Sequence, residues 1–106
     1  VISPATAAVI ARLHAEVLEA LDGVMQALEA RDAGMAADVR KRKAEFTALV
    51  EDIAGYEIER LRADEPKRLH TYAREIEMTE TLDDIFKIVR RIARTEIGVF
   101  GNESTR

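Results

Sequence analysis

Apolar residues in this chain recur at steps of three and four along three long segments, interrupted by only two short breaks. At 3.6 residues per turn, positions i, i+3, i+4 and i+7 share one side of an α-helix, so each segment reads as an amphipathic helix. The first series is Ile10, Leu13, Val17, Leu21, Val24 and Leu28, and the second is Met35, Val39, Phe46, Val50, Ile53 and Leu61. Leu69, Tyr72, Ile76, Leu82, Phe86, Val89 and Ile92 form the third. Ser3-Pro4 offers an N-cap followed by proline at the first helical position, where its missing N–H costs nothing. Asp32 is suited to cap the second helix, and Pro66 ends it and opens the third with Asp64 or Glu65 as cap. Gly23 weakens the first helix by ~1 kcal/mol relative to Ala, but the period runs straight through it.

The pattern therefore predicts helices over about 4–31, 33–62 and 66–97, with fraying near Ile97-Gly98 and a flexible tail over 98–106. Helices of ~40–45 Å are marginal alone and gain their stability by packing their apolar faces. Short connections make sequential helices antiparallel, so the expected fold is all-α, an up-down-up three-helix bundle spanning residues 1–97. The competing arrangement, a coiled coil between chains, needs heptads that hold for about three repeats in the first segment and drift elsewhere.

Composition narrows the function. The chain is 47% hydrophobic and 34% charged, which supplies enough apolar side chain to offset chain entropy and argues against disorder. It has no cysteine, which excludes disulfides, thiolate catalysis and cysteine-ligated zinc. A net charge of −4 argues against nucleic acid as the main partner. No apolar run is long enough to cross a bilayer, and the first residues lack a signal-peptide pattern, so the segment is expected to be soluble. Because it begins with Val1, it is expected to be a piece of a longer protein.

Catalysis finds little support. His14 and His70 sit on different helices, and neither a nucleophile elbow nor a phosphate-binding glycine loop is present. Glu80 and Asp84, four residues apart, stack on one helix face and are candidate oxygen ligands for a divalent metal. Two ligands do not make a site, so the remainder would have to come from residues such as Glu16, Glu19 or Asp22 of the first helix. On spacing alone the favoured reading of the pair is a solvated acidic face. A basic run follows, Lys87, Arg90, Arg91 and Arg94, mostly on one helical flank. It suits an acidic partner, a phosphate group or a membrane surface, or else an ordinary charged face near a helix C-terminus. Arg40-Lys41-Arg42-Lys43 is a second basic cluster open to the same readings.

The stretch from Val24 to Leu61 resembles the first helical hairpin of PhoU-like domains, with Asp32 in the turn and Ala36 and Val39 following at the family's spacing. Residues 75–94, EIEMTETLDDIFKIVRRIAR, resemble that family's third helix, where an E(D)xxxD motif donates carboxylates to metal. Glu80 and Asp84 fall on the motif. Two departures stand out: Lys43 occupies the place of a second-helix Asp in metal-binding members, and Ile85 replaces the basic or His follower. A lysine there can neutralise the acidic pair in place of a metal. This pattern is most similar to the C-terminal cytoplasmic domain of bacterial Na⁺/phosphate cotransporter family proteins.

The resemblance implies a non-catalytic regulatory domain on the cytoplasmic side of the inner membrane, touching the membrane only through its parent protein. It implies self-association as a homodimer or docking on the transmembrane part, and no cofactor beyond a possible role for a divalent metal ion. The alternatives are a soluble, metal-binding phosphate-signalling regulator and a generic helical adaptor.

Overall fold

The computed structural model describes the backbone of residues 4–62 and 68–104 and the side chains of residues 6–55 and 73–102. Its helices are α1 (Pro4–Ala30), α2 (Ala33–Lys41), α3 (Lys43–Arg62) and α4 (Arg68–Ser104). Together α2 and α3 form the middle rod of an up-down-up bundle measuring 62 × 18 × 16 Å. The caps expected at Asp64 or Glu65, Pro66, and the side chains of Leu61, Leu69, His70 and Tyr72 lie outside the described residues.

The α1–α2 turn follows from its local chemistry. Asp32 N–H donates to Ala27 O at 3.1 Å and Arg31 N–H to Leu28 O at 3.3 Å, the paired bonds of a Schellman stop. That stop places Arg31 at φ 51°, a left-handed conformation usually given to glycine. Asp32 then caps α2, its Oδ1 accepting from Gly34 N at 2.8 Å and Met35 N at 3.2 Å.

Two expected boundaries differ from the structure. The single helix expected over 33–62 is stepped at Arg42, whose N–H donates to Val39 O, three residues back, at 3.2 Å. The regular ladder resumes with Phe46 N–H donating to Arg42 O at 3.0 Å. This tightened turn keeps Val39 and Phe46 both buried and leaves Lys43, which interrupts the apolar series, exposed. The flexible tail expected from Gly98 is instead helical to Ser104. Neither Gly98 nor Gly101 adopts positive φ, and Phe100 is buried one turn beyond Glu96 and two beyond Ala93, so burial continues along the helix.

The core consists of Leu13, Val17, Ala20, Val24 and Ala27 of α1, Ala36 and Val39 of α2, Phe46, Leu49 and Ile53 of α3, and Phe86, Val89 and Ala93 of α4. Phe46 and Phe86 stack with ring centroids 4.0 Å apart, joining α3 to α4. Gly23 is required where α1 meets α2: a Cβ there would stand 2.7 Å from Val39 Cγ2. Leu21, Leu28 and Ile92, expected inside, are 39%, 52% and 41% exposed. Their inward places are taken by Ala20, Ala27 and Ala93, all fully buried. Small residues bring the helices close, and the large ones are displaced to an outer seam.

Candidate docking face and cationic cleft

Helical spacing divides the described part of α4 into three lengthwise stripes. Phe86, Val89, Ala93, Glu96 and Phe100 form the buried middle one. Ile85, Ile88, Ile92 and Val99 form a second on one side, and Lys87, Arg90, Arg91 and Arg94 a third on the other.

The apolar stripe continues onto α1. Leu18, Leu21, Met25 and Leu28 repeat at heptad steps, as do Ile85, Ile88, Ile92 and Val99. All eight side chains are 38–52% exposed. Toward the N-terminal ends of both helices the seam opens into a groove of about 820 Å³ lined by Ile10, His14, Met78 and Leu82 among others. Residues 7–14 face 74–82 across it, so α1 and α4 run parallel and their stripes lie side by side. His14 is exposed in this groove near Arg74 and Glu77, whose 3.3 Å ion pair lies on α4 alone. His70 lies outside the described side chains.

The basic stripe is completed by a residue from another helix. Arg40 of α2 joins Lys87, Arg90, Arg91 and Arg94 around a cleft of about 110 Å³. Lys87 pairs with Asp83 at 3.0 Å, a hydrogen bond that raises its pKa. Among the described residues, the guanidinium groups of Arg40, Arg90, Arg91 and Arg94 have no acceptor. The Nε atoms of Arg40 and Arg90 are also shielded from solvent. A buried donor without an acceptor costs ~1–3 kcal/mol. Like charges three and four residues apart on α4 repel as well.

The second basic cluster is split among four environments. Arg40 enters the cleft, and Lys41 pairs with Asp38 at 3.6 Å. Arg42 reaches α1, donating to Glu19 at 2.8 Å and Glu16 at 3.4 Å. The Glu19 hydrogen bond holds the Arg42 pKa above its ordinary value. Lys43 borders a cavity of about 250 Å³ shared with Asp83 and Lys87.

Glu80 and Asp84 are exposed on α4. Of the first-helix carboxylates available to complete a metal site, Glu16 and Glu19 are turned to Arg42 and Asp22 accepts from Gln26 at 2.7 Å. Among the described residues no group of three or more His, Asp or Glu side chains comes together. No helix among them is long and apolar enough to cross a membrane.

Two buried carboxylates escaped the sequence reading. Glu75 and Glu96 lie in the middle stripe of α4, and neither has a hydrogen-bond partner among the described residues. Burial pushes the Glu96 pKa above the ordinary carboxylate value. Thr79, also buried, donates to Glu75 O at 2.9 Å. Their only signal in the sequence is spacing in phase with Phe86 and Val89, because residue type alone places glutamate outside.

The family model for the PhoU domain matches residues 10–95, most of the chain. Comparison with curated proteins and with solved structures returned no match.

Proposed function

The chain belongs to the PhoU domain family, whose members serve phosphate homeostasis as regulators, and from that premise we propose that it is a non-catalytic docking module. Its parent, in this reading, is a Na⁺/phosphate cotransporter-type membrane protein whose phosphate uptake it modulates. One observation carries the docking role: eight large apolar side chains exposed along one face of α1 and α4, with alanines buried beneath them. Chains that work alone rarely keep so long an apolar stripe in water.

The occupant of that face is a second copy of the same bundle. A face along a 62 × 18 Å body offers on the order of 1,000 Å², comparable with the ~800 Å² per partner of a standard interface. Two parallel heptad stripes present a straight surface that is its own complement under a two-fold axis. Support for the transporter parent comes from Lys43, which stands where metal-binding members of the family carry Asp, in the pattern of the transporter-linked branch.

The test is phosphate uptake by cells whose own copy of the gene carries Leu21→Glu with Ile88→Glu. Uptake that no longer adjusts between phosphate-rich and phosphate-poor medium is the expected result. Uptake and its adjustment identical to wild type would contradict the reading. The coding region upstream of Val1 should encode several apolar stretches of ~20 residues. Their replacement by a second helical bundle would move the chain to the soluble regulators.

A further inference from the structure

We propose that Arg40 of α2 and Lys87, Arg90, Arg91 and Arg94 of α4 form a binding site for a phosphate-bearing anion. The site goes beyond the pairing of bundles and does not depend on it, because it occupies the flank of α4 opposite the apolar stripe.

Charge is the first argument. The chain is acidic, with net charge −4, yet five cations from two helices converge on one cleft. The described residues supply one carboxylate partner there, Asp83, and Lys87 takes it at 3.0 Å. Asp84, one turn before Lys87, adds a weaker attraction to that lysine. Asp83 also shares a cavity with Arg90, but among the described residues no carboxylate pairs with Arg40, Arg90, Arg91 or Arg94. A surface evolved only for solubility would intersperse acids among these residues, as it does around Lys41 and Arg74.

Hydrogen bonding is the second. Arg40 and Arg90 approach from different helices, and the Nε–H of each is withdrawn from water without an acceptor. With Nε–H shielded, the two Nη groups of each guanidinium remain to form a fork that matches two oxygens of one phosphate. Two such forks meeting in a cleft define a place for a tetrahedral oxyanion with oxygens pointing several ways. Arg91 and Arg94 are exposed at the border, suited to a further negative group outside the cleft.

Size selects the class. A cleft of about 110 Å³ corresponds to only a few waters at ~30 Å³ each, room for one phosphate group and not for a helix or a peptide strand. A flat anionic membrane would be met by cations on a convex surface, whereas Arg40 and Arg90 are partly buried and line a cleft. The phosphate group itself could belong to a free ion or to a lipid headgroup with a terminal phosphate.

Calorimetric titration of the full chain with inorganic phosphate, pyrophosphate and sulfate is the direct test. Co-sedimentation with phosphatidylcholine vesicles containing phosphatidate or phosphatidylserine distinguishes the lipid source. We expect saturable binding of phosphate or pyrophosphate, or binding to phosphatidate but not phosphatidylserine vesicles, weakening as salt rises. Arg40→Gln and Arg90→Gln should each weaken it at least tenfold, and Arg12→Gln, on the surface of α1, by less than twofold. Circular dichroism of each variant verifies the fold, and Arg91→Gln, at an exposed position, gives a second variant should either cleft substitution unfold the chain. Three results would overturn the proposal: no binding of any probe, equal binding of sulfate or of both vesicle types, or loss equally large with Arg12→Gln.

Discussion

The two flanks of α4 carry opposite chemistries on either side of one buried stripe. Toward α1 lie Ile85, Ile88, Ile92 and Val99, half-exposed and continuous with four large apolar residues of the neighbouring helix. Toward α2 lie four cations that meet a fifth, Arg40. The apolar flank is incomplete because it leaves hydrocarbon in water, and the cationic flank because it leaves donors unpaired. The first deficiency is met by a large flat partner and the second by a small oxyanion. Two regions of one helix thus suit different kinds of occupant, and substitutions should separate them.

The largest expected effect comes from the stripe that both flanks share. Phe46→Ala removes the ring stacked on Phe86 and should cost about 3–5 kcal/mol in urea unfolding, with both flanks lost together. A cost below about 1 kcal/mol would mean that the two flanks are not held by this core.

The seating of α2 beside the cationic flank depends on Gly23. Gly23→Ala gains about 1 kcal/mol of helix propensity but drives a methyl group against the β-branched Val39. Overpacking costs about 1–3 kcal/mol, so a net loss of ~1 kcal/mol is expected. Gly55→Ala, with nothing within 4 Å of the added carbon, should instead stabilise by about 1 kcal/mol. Equal stabilisation by both substitutions, read from thermal melts, would break the argument for close α1–α2 contact.

Glu96 tests the middle stripe through pH. Its folded pKa is raised above the ordinary value of 4.5 by burial, so between those two values the folded state binds more protons than the unfolded one. Stability therefore falls as pH rises through that window, and the full penalty is present above it. Glu96→Gln should remove this component and raise stability at neutral pH. An unchanged slope in urea titrations over the window would show that burial of Glu96 is not its source.

Arg42 should give the smallest effect. Its two α1 carboxylates are partly exposed, so Arg42→Gln is expected to cost about 0.2–1 kcal/mol, shrinking as salt is added. A larger, salt-insensitive loss would mean that the step between α2 and α3 depends on this side chain.

Particular residues show where sequence reading succeeds. The Asp32 cap, the break before it and the all-helical bundle were legible because they depend on local chemistry and on one period. The inner face was read less well, since apolar residues on α1 and α4 occupy two adjoining stripes. Weight given to large side chains selected Leu21, Leu28 and Ile92, where close packing buries Ala20, Ala27 and Ala93. The run Lys87 to Arg94 stood out in the sequence, but its partner Arg40 did not. Four consecutive basic residues look alike until the register between helices sends Arg40 to the cleft and Arg42 to Glu16 and Glu19. Helix continuation past Gly98 was hidden because it goes with the burial of Phe100, which residue spacing alone does not reveal.

Sedimentation equilibrium across the micromolar range, on wild type, Ile88→Glu and Arg90→Glu, tests the division between flanks most directly. The account predicts a dimer for wild type, a folded monomer for Ile88→Glu and a dimer for Arg90→Glu. A wild-type chain that stays monomeric throughout, or a dimer lost with Arg90→Glu and kept with Ile88→Glu, would contradict it.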